Sequence, residues 1–75
     1  MNLKEMIEVF KTNVQEKTDA GKLVSLLSGH FPDSRINFDL WDCDRILRVQ
    51  GNDFTTRRII ELMEASGFSC SVLES

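Results

Sequence analysis

The spacing of apolar residues along this chain switches between a period of two and a period of three to four. Residues 7–14 alternate, with Phe10, Thr12 and Val14 on one side and Lys11 and Asn13 on the other, as in a half-buried strand. Polar residues 15–19 break that pattern, and Thr18 or Asp19 is suited to cap a helix by accepting from an orphan N–H. Ala20, Leu23, Val24, Leu27 and Phe31 then recur at helical spacing. Gly29 suits a helix C-cap and Pro32 stops continuation. Residues 35–41 alternate again, with Ile36, Phe38 and Leu40 facing one way and Asn37, Asp39 and Trp41 the other. Asp42-Cys43-Asp44 reads as a turn, and residues 46–50 as a second strand with Leu47 and Val49 inward, so the pair predicts a β-hairpin. Gly51-Asn52-Asp53 is a second turn. Asp53 or Thr55 then caps a helix that buries Ile59, Ile60 and Met63 and ends at Ser66-Gly67. Residues 68–73 form the last strand, with Cys70 and Val72 inward; residues 1–5 are expected to be a loose tail.

Strand, helix, strand, strand, helix, strand with short connections predicts an α+β fold, a ferredoxin-like βαββαβ sandwich. Two helices, each in a right-handed crossover, cover one face of a four-stranded antiparallel sheet, and the other face is open. Tracing the strand directions brings the loop at residues 15–19, Cys43 with its neighbours, and Gly67-Phe68 to one end.

Seventy-five residues bury only about 60–65% of the surface of the unfolded chain, which allows a single thin core. An enzyme with a deep, enclosing cleft is excluded by that size. Nine Lys and Arg against twelve Asp and Glu give a net charge of −3, which argues against non-specific binding to nucleic acid or anionic membrane. No apolar run approaches the roughly 18 residues that cross a bilayer, and the N-terminus lacks a basic segment followed by an apolar one. The expected location is the cytoplasm. There the two cysteines, Cys43 and Cys70, are expected as free thiols, with Cys70 as a small buried hydrophobe. His30 complements a helix C-terminus, with no second His or Cys nearby to make it a ligand. No Ser, His and Asp are arranged for nucleophilic chemistry, and no acid–base pair is apparent, so no catalytic residue is assigned.

The open face of the predicted sheet carries Asn37, Asp39, Trp41, Ile46 and Arg48, with Val9 beside them. Trp and Arg are common anchors of protein interfaces. Trp41, Ile46 and Arg48 are therefore the expected interaction surface, for a protein partner or a second copy of the chain.

The segments Phe10-Lys11-Thr12-Asn13-Val14, Ile36-Asn37-Phe38-Asp39-Leu40, Arg45-Ile46-Leu47-Arg48-Val49-Gln50-Gly51 and Ile59-Ile60-Glu61-Leu62-Met63-Glu64-Ala65-Ser66-Gly67-Phe68 resemble, in that order and spacing, the heavy-metal-associated (HMA) domains of the copper-chaperone-like family. The resemblance runs over residues 9–73. Its metal-handling members carry C-x-x-C in the first loop, where a helix N-terminus lowers thiol pKa values and two soft sulfurs select Cu(I) or Zn(II). Ungapped alignment puts Glu16 and Asp19 at those two positions, so the resemblance implies a scaffold without its soft-metal site. Two carboxylates make at best a weak site for a hard cation, and acidic residues are ordinary at a helix N-terminus. An altered metal site built from Glu16, Asp19 and Cys43 is the alternative, opposed by the negative neighbours Asp42 and Asp44, since thiolate activation needs positive surroundings. Phe68, which the resemblance brings near the metal loop, is expected to pack that loop on the core.

The leading expectation is a non-catalytic interaction or structural module without cofactor. The second is a metal carrier or sensor using the altered site. RNA binding of the kind seen on this topology needs aromatics on the central strands, where this chain offers Lys11, Asn13, Ile46 and Arg48. A dimeric small-molecule regulatory module has no ligand signature.

Overall fold

The structure is a computed structural model that describes residues 5–73. Its elements follow as β1 (Met6–Thr12), α1 (Lys17–His30), β2 (Arg35–Asp39), β3 (Ile46–Gly51), α2 (Thr56–Ala65) and β4 (Cys70–Val72). The strands form one sheet in the order β2-β3-β1-β4, and every pairing is antiparallel. This is the expected ferredoxin-like sandwich. In register, Phe10 of β1 lies between Leu47 of β3 and Val72 of β4, and Phe38 of β2 is opposite Leu47.

The core forms where the helix-facing sides of the strands meet both helices. Phe10, Ile36, Leu47, Val49 and Cys70 of the sheet pack with Ala20, Leu23 and Leu27 of α1 and with Ile59, Leu62 and Met63 of α2. Leu62 is buried and Ile60 only half-buried, so the inward stripe of α2 is one position off the expected Ile59, Ile60, Met63 set. Phe54, in the β3–α2 loop, is 4% exposed. It belongs to the same cluster although no periodicity marks it.

Several boundaries differ from the sequence reading. β1 stops at Thr12, which still pairs with Cys70 of β4 while its N–H donates to the Asp44 carbonyl of the β2–β3 turn at 3.1 Å. α1 is preceded by Glu16 in extended conformation, so neither Thr18 nor Asp19 is the cap, and no side chain caps the helix. Gly29 lies inside α1, and Phe31 is the C-cap. β2 ends at Asp39, and β4 begins only at Cys70. The loose tail expected over residues 1–5 falls, except for Glu5, outside the described residues. Glu5 accepts from Gln50 Nε2 at 3.1 Å.

Both ends of α2 match expectation. Thr55 accepts from the Arg58 N–H at 3.2 Å, the bond of an N-cap. At the other end Gly67, at φ +94°, donates to the Glu64 carbonyl while Phe68 donates to that of Met63, a Schellman closure that needs a left-handed residue.

Asp53 does not cap α2. Its carboxylate accepts from the Ser34 hydroxyl and, at 3.0 Å, from the Asp33 N–H, tying the β3–α2 loop to the start of β2. The Ser34 hydrogen bond holds the Asp53 pKa below its ordinary 3.8, against an opposing effect of burial and with help from backbone N–H groups. Gly51 permits this approach, since a Cβ there would lie 2.8 Å from Ser34 Cα.

Candidate functional site

Three connections meet at the opposite end of the sandwich. The β1–α1 loop meets the β2–β3 turn, where one groove is lined by Gln15, Lys17, Leu40, Trp41 and Arg45. It meets the α2–β4 loop where Asp19, Lys22 and Leu23 face Ser66 and Phe68, and Ser69 donates its N–H to Asn13 Oδ1 at 2.9 Å. The convergence expected from strand direction is therefore present, and Phe68 packs against the core beside that loop.

Thr12 holds this end from below. It is 6% exposed, its hydroxyl donates to the Arg45 carbonyl, and it accepts from the Val14 N–H at 3.2 Å. The β2–β3 turn above it closes through the Arg45 N–H donating to the Asp42 carbonyl at 3.0 Å. Arg45 lies at φ +48°, in the left-handed region that costs a non-glycine residue about 1–2 kcal/mol. Its guanidinium donates to the Leu40 carbonyl at 3.0 Å.

The expected interaction surface separates into three different environments. Trp41 is 92% exposed but is not on the open sheet face. Asp39 Oδ1 accepts from the Trp41 N–H at 3.1 Å, a local bond that ends β2 and turns the chain. Trp41 then borders Lys17 and Ala20 of α1, on the helix side. Ile46 is 4% exposed and pairs with Asp39, so it is not an accessible anchor. It also lies outside the main core cluster. Of the three, only Arg48 is exposed on the open face, between Val9 and Asn37.

The proposed metal residues also separate. Among the described residues, the group whose ligand atoms lie within 4.8 Å of one another is Asp42, Cys43 and Asp44, and it includes neither Glu16 nor Asp19. Two of its members have other partners: Asp42 Oδ1 accepts from the Asp44 N–H at 2.9 Å, and Asp44 pairs with Lys11 at 3.9 Å. A single sulfur and two carboxylates, one exposed and one half-buried, fit no soft-metal geometry. Both cysteines are free, Cys43 exposed and Cys70 buried. Burial, with the Glu64 charge adding to it, pushes the Cys70 thiol up to about 12, leaving it neutral and inert near neutral pH. His30 ends α1 and is exposed.

Sequence reasoning brought Lys17 to this end only as part of residues 15–19, and singled out neither Lys17, Leu40 nor Arg45 as a wall of a groove. The usable signal was topological, because the same strand directions that join residues 15–19 to Cys43 also place Lys17 beside residues 40–45. No helix among the described residues is long and apolar enough to cross a membrane. No protein-family model, curated protein or solved structure matches the chain.

Proposed function

We propose that this chain is an HMA-like domain that has given up soft-metal chemistry and works as a non-catalytic protein-interaction module. The observation that carries the reading is the character of the loop end. Where the resembling domains present two thiols, this chain has Glu16 and Asp19, and at the same end a tryptophan that is 92% exposed. Carboxylate oxygen is a poor donor for Cu(I), whereas an exposed tryptophan next to a groove is a common interface anchor. The reading places the domain in the cytoplasm, where two free thiols are the ordinary state, and gives it no cofactor and no nucleic-acid partner.

The test is a competition titration of Cu(I) and Zn(II) into the purified protein, alongside sizing of the native protein and of Trp41→Ala over a range of concentrations. The module reading expects no metal binding as tight as micromolar. Stoichiometric Cu(I) or Zn(II) that is lost on Cys43→Ser would overturn it in favour of a metal carrier. Trp41-dependent association with a second copy would identify the partner as the chain itself.

A further inference from the structure

We propose that the groove between Trp41 and the first turn of α1 docks an acidic linear segment of a partner protein, with an apolar side chain next to its carboxylates. This rests on the interaction-module reading and supplies the class of ligand. The groove encloses about 350 Å³ and adjoins a smaller one of about 180 Å³ that shares Lys17, Leu40 and Trp41. That space holds one or two side chains of an extended segment and is too small for a folded surface.

Its charge opposes that of the whole molecule. The chain carries −3, yet the lining contains Lys17 and Arg45 and no carboxylate. The ion pairs among the described residues are Lys11 with Asp44 and Arg57 and Arg58 with Glu61, so neither lining cation is neutralised. Arg45 is fixed along the wall by its bond to the Leu40 carbonyl, with further N–H donors left over. Leu40 and the Trp41 indole provide the apolar part.

Anionic carboxylates beside an aliphatic or aromatic residue match this lining. A nucleic acid would need a basic track longer than two cations.

Trp41 is the only tryptophan and there is no tyrosine, so tryptophan emission reports this groove alone. The probe is a short blocked peptide of Glu and Asp around one Leu-Phe pair. The expected result is a saturable shift of Trp41 emission with Kd on the order of 10–100 µM, weakening as salt rises. Lys17→Glu, an exposed first-turn change compatible with the helix, is expected to weaken binding by about tenfold or more. A version of the peptide with Lys in place of the acids is expected not to saturate.

Equal affinity for both peptides, an unchanged Kd in Lys17→Glu, or no saturable shift would overturn the proposal. Tighter binding of a thymidine oligonucleotide, or a shift that follows protein concentration alone, would do the same. Peptide failure with Trp41-dependent self-association leaves the module reading standing and removes only this inference. Tight copper binding removes the module reading itself.

Discussion

The two ends of this sandwich are built on opposite principles. At the end where β2 begins and β3 finishes, polar groups are matched to one another. Asp53 takes the Ser34 hydroxyl and the Asp33 N–H, Thr55 caps α2, and the Thr56 hydroxyl donates to Glu8 at 3.1 Å. Phe54 closes the core beneath them. At the opposite end the buried tie is Thr12, and the Arg45–Leu40 and Ser69–Asn13 bonds join loops around it. Above it α1 starts without a side-chain cap, Arg45 sits at positive φ, and Trp41 stands in solvent. Each of these lowers stability or gains none. Features that do not contribute to folding, gathered where three loops converge, are consistent with the binding role proposed for this end.

The sharpest test of that contrast is Phe54→Ala. Removing a fully packed aromatic is expected to cost about 3–5 kcal/mol, read as a lower midpoint in urea unfolding. Because Phe54 lies at the matched end, the fraction that stays folded is expected to keep the peptide response of Trp41. Loss of that response in folded protein would show that the two ends are not separable.

Gly51→Ala comes next. The new methyl would lie 2.8 Å from Ser34 Cα and Cβ, closer than such atoms settle, and crowding of this kind costs about 1–3 kcal/mol. The same unfolding measurement checks it, and an unchanged midpoint would mean that the Ser34–Asp53 tie is slack.

A milder probe of the same end is pH. Asp53 has a folded pKa below its ordinary 3.8. The stabilisation it provides is complete above that value and disappears as pH falls through the folded one. Native protein is therefore expected to lose stability more steeply below about pH 4 than Asp53→Asn, which has no carboxyl to protonate at that position. Parallel curves for the two proteins would remove Asp53 from the account.

The matched end and the core were largely legible in the sequence, and the open end was legible only in outline. Alternation at Ile36, Phe38, Leu47 and Val49 placed the strands, helical spacing at Leu23 and Leu27 placed α1, and their order yielded the fold. Phe54 escaped because a loop residue has no periodic neighbours to mark it as inward. Trp41 was assigned to the open face by extending the alternation of β2 two residues too far; a local bond from Asp39 ends the strand first. Ile46 alternates with the inward Leu47, but its place in the pattern did not make it exposed; it is 4% exposed. Glu16, Asp19 and Cys43 share one end as topology required, yet meeting at an end is a looser condition than sharing ligand distance.

The smallest expected effect separates the two ends most cleanly. Trp41→Ala removes the largest apolar side chain in the protein, and in a core that would cost several kcal/mol. At 92% exposure the indole has almost no buried area to lose, and surface changes of this kind fall within about 0.5 kcal/mol. Lys17 and Arg45 remain in place, so what changes is the apolar wall of the groove. The unfolding midpoint is expected to hold while affinity for the acidic peptide falls about tenfold, measured by calorimetry because the optical signal goes with the indole. A midpoint that drops as far as that of Phe54→Ala would mean that Trp41 supports the fold, and the difference between the two ends would vanish.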